Sequence, residues 1–319
     1  MEIDLTLVWA AIIAFGIFMY VVMDGFDLGI GILFPFVRGK EERDVMMNSV
    51  APIWDGNETW LVLGGAGLFA AFPLAYSVVL TALYLPLILM LVALIFRGVA
   101  FEFRFKAKRT RPAWDLAFIG GSVLATFSQG VVLGAFVDGI AVVDRQYAGG
   151  PLDWLAPFPL FTGAALVVGY AMLGSGWLIM KTHGELQTRM FSLMKPLTLV
   201  LLAVIAVVSL WTPLAHGAIA ERWFSLPNLL YFLPVPLLVA LSVVALLRAL
   251  ARQREVQPFL LTLGLMFLSY TGLGISLWPN IVPPDIALWQ AAAPESSQRF
   301  TLVGVLILLP VILGYTAYA

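Results

Sequence analysis

The side chains best placed to do chemistry in this chain are acids embedded in apolar sequence. The stretch Trp54-Asp55-Gly56-Asn57-Glu58-Thr59-Trp60 sets two carboxylates, an amide and two indoles at the front of a helix that then runs from Leu61 to Phe72 without a charge. Asp55 and Glu58 are three residues apart and share a face of that helix. Two more acids stand in Asp24-Gly25-Phe26-Asp27, and a later apolar segment contains Arg97 and Glu102. Hydrocarbon disfavours charge, so ionisable groups at membrane depth are functional candidates. Asp24, Asp27, Asp55 and Glu58 cannot all be ionised cheaply beside Arg97 alone. The chemistry to expect is proton transfer, with some acids carrying protons at neutral pH and Arg97 holding at least one ionised.

The elements that must position these groups are membrane helices. Of 319 residues, 61% are hydrophobic and 12% charged, a balance too apolar for a soluble domain of this length. Segments long enough to cross a bilayer run at 5–36, 49–72, 75–104, 114–138, 157–181, 190–213, 226–249, 257–279 and 299–319. The expected fold is therefore an all-α polytopic membrane protein with nine transmembrane helices. The first residues, Met1-Glu2-Ile3-Asp4, are acidic where a signal peptide is basic, so the first helix is expected to stay and span. The chain stops at Ala319 inside an apolar run, where a few further residues would be expected.

Lysine and arginine sort by loop. Arg38, Lys40 and Arg43 follow the first span, and Arg104, Lys106, Lys108, Arg109 and Arg111 follow the third. Lys181, Arg189 and Lys195 follow the fifth, and Arg248, Arg252 and Arg254 the seventh, whereas only Arg145, Arg222 and Arg299 fall on the opposite side. The positive-inside rule then places the N-terminus in the periplasm and the C-terminus in the cytoplasm. A net charge of −1 with no basic patch gives no reason to expect nucleic acid as a partner.

Depth can be compared between helices at about 1.5 Å per residue. Asp27 lies roughly 13 Å short of the inner end of the first helix, Asp55 roughly 10 Å beyond Asn48, and Arg97 roughly 10 Å before Arg104. The three helices thus share one polar layer nearer the cytoplasmic face, with Glu102 closer to the interface. Ser128-Gln129-Gly130-Val131-Val132-Leu133-Gly134 is echoed 141 residues later by Ser269-Tyr270-Thr271-Gly272-Leu273-Gly274-Ile275. An offset of four helices keeps both copies in one direction, which favours two like-oriented four-helix bundles over an inverted repeat. The corresponding division is 1–148 for the first bundle with the charged layer, 149–297 for the second, and 298–319 for a peripheral ninth helix.

Simpler readings stand beside these. The acids could form an ion-paired knot that orients helices, with Asp24 and Asp27 capping a kink near Gly25. Trp54 and Trp60 read as packing and hydrogen-bonding residues rather than electron carriers, and Gly64-Gly65-Ala66-Gly67 as a close helix contact. The absence of cysteine excludes disulfides and thiolate sites. His183 and His216, the only histidines, fall at loop edges, so neither is assigned to metal and no cofactor is expected to be ligated by this chain.

Read together, Asp24-Gly25-Phe26-Asp27-Leu28-Gly29, Ala51-Pro52-Ile53-Trp54-Asp55-Gly56-Asn57-Glu58-Thr59-Trp60 and Phe96-Arg97-Gly98-Val99-Ala100-Phe101-Glu102-Phe103-Arg104 resemble subunit II of cytochrome bd-type quinol oxidases. Thr271-Gly272-Leu273-Gly274-Ile275-Ser276-Leu277-Trp278-Pro279-Asn280-Ile281-Val282-Pro283-Pro284 extends the likeness, which covers essentially the whole chain and looks closer to the cyanide-insensitive branch than to the enterobacterial type. The resemblance implies a heterodimer in the bacterial inner membrane. Its larger subunit I carries haems b558, b595 and d and the quinol site, and oxygen is reduced to water with protons drawn from the cytoplasm. It further implies that Asp55 lies on the proton-delivery route with Trp54 and Arg97 as its neighbours and Glu58 as a further acid; the charged layer read from the residues adds Asp24, Asp27 and Glu102 as supporting polar groups. A small single-helix third subunit, bound lipids and a structural quinone accompany some relatives. The rival class is an ion-coupled secondary transporter, which would also use midplane acids and an arginine. A purely structural assembly subunit is the third.

Overall fold

The computed structural model describes residues 4–318; Met1, Glu2 and Ile3, which entered the signal-peptide argument, and Ala319 lie outside the described residues. The chain is almost entirely helical. In order it forms α1 (Leu5–Leu33), a 3-10 turn (Phe34–Phe36), α2 (Lys40–Asn48), α3 (Trp54–Ala71), α4 (Pro73–Phe103) and α5 (Arg111–Asp138). There follow α6 (Pro157–Lys181), α7 (Gly184–Ala215), α8 (Gly217–Phe224), α9 (Asn228–Phe232), α10 (Pro234–Ala251), α11 (Gln257–Leu277), α12 (Leu288–Ala291) and α13 (Glu295–Tyr318). Two small antiparallel hairpins, β1 (Val142–Val143) with β2 (Gln146–Tyr147) and β3 (Asn280–Val282) with β4 (Ile286–Ala287), occupy the long loops.

Among the described residues, eight helices are long and apolar enough to cross a membrane. The count differs from nine only at α3, whose 18 residues begin with the polar run Asp55, Asn57, Glu58. Helix ends follow local chemistry. Asp4 caps α1 by accepting from the N–H groups of Thr6 and Leu7, and its other oxygen accepts from the Trp289 indole at 2.9 Å. That indole, with the two backbone donors, holds the Asp4 carboxyl below the usual carboxylate range. Within α4, Pro86 cannot donate to the preceding turn, and Leu83 leaves helical geometry there. α1 by contrast contains no such break at Gly25, so Asp24 and Asp27 cap no kink.

α1 is the central helix, packed against α3, α5 and α6, while α6 also meets α7 and α11 and α13 leans on α3 and α1. The α1–α6 crossing depends on glycine: a Cβ at Gly29 would strike the Tyr170 carbonyl, and one at Gly174 the Gly29 backbone. Gly64 and Gly67 of α3 meet Ile17 and Ile13 of α1, whereas Gly65 faces open space. The sequence echo behaves asymmetrically. Gly130 and Gly134 of α5 abut α6 at Thr162, Gly163 and Pro159, but Gly272 and Gly274 of α11 have no neighbour. Two apolar cores result, one around Trp9, Ile13, Phe72 and Val282, the other around Phe26, Leu28, Phe118 and Met172. Along α1, Tyr20 and Asp24 fall between the two.

Candidate functional site

Arg97 is fully buried, and the helix register explains why. Ala93, Leu94, Arg97, Gly98 and Phe101 recur at helical spacing along the buried face of α4. Gly121 of α5 lets that backbone come close, since a Cβ there would lie 2.9 Å from the Arg97 nitrogen. The guanidinium carbon sits 5.2 Å from the centroids of both Trp54 and Phe101, whose rings stack on each other at 5.1 Å.

Three acids converge on this cation. Arg97 Nη2 donates to Asp24 Oδ1 at 3.1 Å and lies 3.5 Å from Asp27 Oδ2, while Nη1 donates to Glu58 Oε1 at 2.9 Å. Asn57 Nδ2 donates to Asp27 Oδ2 at 2.7 Å. Asp24 and Asp27 are fully buried and Glu58 is partly open, at 28% side-chain exposure. Asp24 Oδ2, Asp27 Oδ1 and Arg97 Nε are buried without a hydrogen-bond partner among the described residues. Three carboxyl groups facing one guanidinium leave a surplus of negative charge, which suits protons that come and go.

The predicted residues separate at this point. Asp24, Asp27, Glu58, Arg97 and Trp54 come together, but Asp55 and Glu102 do not. α3 buries Asn57, Trp60, Gly64 and Gly67. Asp55 is two residues from Asn57, which turns it to the opposite side of the helix, and it is exposed. Glu102 is five residues from Arg97 and likewise off the buried face; its carboxylate is 67% exposed and 3.6 Å from Lys106 Nζ. Asp55 and Glu58 remain i, i+3 neighbours on α3, but only Glu58 lies close enough to the buried face set by Asn57 and Trp60 to meet Arg97. Trp60 packs edge-on to Phe15 with its indole N–H unpaired among the described residues, so for it only the packing half of the expectation is met there.

Two groups of residues escaped the sequence reading. Asn57 was read only as part of the stretch, although it binds Asp27 directly. The second group sits two turns further along α4. Arg104 is fully buried, ion-paired with Asp44 at 2.6 Å and with Asp115, while Arg111 pairs with Asp44 and Arg43 with Asp115 at 2.8 Å. Those arginines read as loop charges; the seven-residue spacing from Arg97 to Arg104 was the available signal.

His216 Nε2 is 3.2 Å from Asp138 Oδ1, and His183 is exposed at the start of α7. Among the described residues no group of three His, Asp or Glu side chains is placed to hold a metal. A cleft of about 160 Å³ lies beside the acid cluster, lined by Met23, Phe26, Asn57, Trp177, Phe259 and Tyr315 among others. It is smaller than the roughly 300–1,000 Å³ of small-molecule sites and contains no histidine. A haem does not fit there.

The sequence model of the family described as cytochrome bd terminal oxidase subunit II matches residues 5–319. The chain is 29% identical over 354 residues to cytochrome bd-I ubiquinol oxidase subunit 2 of Escherichia coli strain K12, covering 98% of this chain and 93% of that one. It is 28% identical over 324 residues to cytochrome bd ubiquinol oxidase subunit 2 of Bacillus subtilis strain 168, covering 98% and 92%. In fold it is similar to the bd oxidase from Geobacillus thermodenitrificans, with a TM-score of 0.77 and 16% identity over 99% of this chain and 97% of that one.

Proposed function

Because the chain belongs to the cytochrome bd terminal oxidase subunit II family and is a subunit of a membrane quinol oxidase, we propose that it ligates no haem and supplies part of the route by which protons reach the oxygen-reducing site. In this reading haems b558, b595 and d and the quinol site belong to the larger subunit I. The donor chemistry of this chain supports that division, since it has no cysteine and its two histidines cap opposite ends of α7, His216 beside Asp138. The complex lies in the bacterial inner membrane, with α3 as a ninth span, the N-terminus outside and the C-terminus inside.

The observation that carries the proton role is the composition of the buried cluster. One arginine faces three carboxyl groups, and two of those acids keep a buried oxygen without a partner. Removing Arg97 would leave uncompensated charge, while adding a proton to one acid relieves it. Glu58 is the member nearest the surface and is the entry to the cluster. Asp55, one turn away on the exposed side of α3, supplies it from a face covered by the partner subunit, because a bare carboxylate against lipid is costly.

The test is oxygen consumption and proton uptake by the assembled oxidase carrying Asp55→Asn, Glu58→Gln or Asp24→Asn. Turnover should fall by about 10²-fold in the most affected variant, the scale of a lost proton-transfer group, with haem content and spectrum unchanged. Unchanged turnover and uptake in all three would return the cluster to a purely structural role.

A further inference from the structure

The acid cluster does not end at Asp24. One turn earlier on α1, Tyr20 shares a helix face with Asp24, whose Oδ2 is buried without a hydrogen-bond partner among the described residues. Tyr20 is nearly fully buried and Tyr170 of α6 completely so. Between them lies Gln129 of α5: its Nε2 donates to the Tyr20 oxygen at 2.7 Å, and its Oε1 accepts from the Tyr170 hydroxyl at 2.8 Å. Three helices thus contribute one side chain each to a hydrogen-bonded chain that ends at Tyr20, one turn from the acid.

The direction of these bonds has a consequence for Asp24. A hydroxyl has one hydrogen, and Tyr170 uses its own on the amide oxygen. The amide nitrogen then has hydrogens to give, and gives one to Tyr20. Tyr20 therefore accepts from Gln129 and keeps its hydrogen for another acceptor, which the neighbouring carboxyl supplies. The reverse amide orientation would spend the Tyr20 hydrogen on Gln129 and leave Asp24 without it. We propose that Gln129 is a positioning residue for the proton cluster: held by Tyr170, it directs the Tyr20 hydroxyl onto Asp24 and closes the cluster one turn earlier along α1. A carboxamide in this arrangement donates at one end and accepts at the other without exchanging protons between them, so it orients the chain and does not conduct along it.

The turnover part of this inference rests on the proton role of the Arg97 cluster; the bonding part does not. The experiment is infrared difference spectroscopy of the purified assembled oxidase, following the carboxyl or carboxylate band that Asp24→Asn abolishes. Tyr20→Phe and Gln129→Leu are expected to shift that band in the same direction. Tyr170→Phe, which removes only a hydroxyl, is expected to shift it less and stands in for Gln129→Leu should that variant fail to assemble. An Asp24 band unmoved by Gln129→Leu, or by Tyr170→Phe where it stands in, overturns the proposal. Turnover in Gln129→Leu should fall by no more than about fivefold, the scale of one hydrogen bond. A loss as deep as in Asp24→Asn would make the amide a conducting element and overturn the positioning role. Band shifts with normal turnover in Asp24→Asn would uphold the positioning role and sink the proton role instead.

Discussion

Arg97 on α4 and Arg104, which caps its C-terminus, lie two turns apart, about 10.5 Å along the helix axis, in matching holes with opposite electrostatic surplus. Both side chains are fully buried and both lie over aromatic rings, Arg97 over Trp54 and Phe101, Arg104 over Phe34 and Phe105. Around Arg97 three acids face one cation. Around Arg104 two acids, Asp44 and Asp115, face Arg43, Arg104 and Arg111. Every acid in the second cluster has a cation of its own, and both acids retain access to solvent at 29% and 15%. That cluster has no use for an extra proton and ties α2, α4 and α5 together. The first is short of positive charge in a place where charge is costly, and a proton is the smallest cation that can balance it.

Breaking each cluster separates the two roles. Arg97→Met should have the largest effect, about 3–5 kcal/mol of lost stability, because it leaves buried acids uncompensated. It is read as loss of partner co-purification and earlier heat-induced loss of haem absorbance. Adding Asp24→Asn and Asp27→Asn to that variant should recover part of the loss, since the charge to be balanced is then gone. A triple variant as unstable as the single one would break the comparison.

Arg104→Met should be milder, about 1–3 kcal/mol, because Asp44 keeps Arg111 and Asp115 keeps Arg43. Turnover per haem should stay unchanged in the same thermal assay samples. A fall matching that of Asp24→Asn would merge the clusters into one functional unit. Glu102→Gln sharpens the boundary from outside, because its carboxylate belongs to neither cluster and pairs with Lys106 on the surface. It should change stability by less than about 0.5 kcal/mol. A measurable turnover loss there would extend the proton route to the inner rim.

Much of this was legible from residue order. The long apolar runs correspond to helices within a few residues, because hydrocarbon permits little else between polar loops. The layer formed by Asp24, Asp27, Glu58 and Arg97 was legible from depth alone, since rise per residue is constant along a helix. What depth does not carry is azimuth. Asp55 has the right depth and the wrong side, Glu102 lies nearer the interface and off the buried face as well, and only the packing of α3 on α1 and of α4 on α5 selects which side is buried.

By itself, then, the order of residues determined the membrane class, the helices and the level at which charge is stored, all of which follow from local composition and a fixed helical rise. The tertiary structure decided which acids meet Arg97, that Asn57 joins them, that Gln129 bridges Tyr20 and Tyr170, and that Arg104 is a buried tie rather than a loop charge. Those outcomes depend on how helices distant in sequence rotate against one another. That rotation is set by contacts such as Gly29 on Tyr170 and Gly121 on Arg97, which no single segment contains.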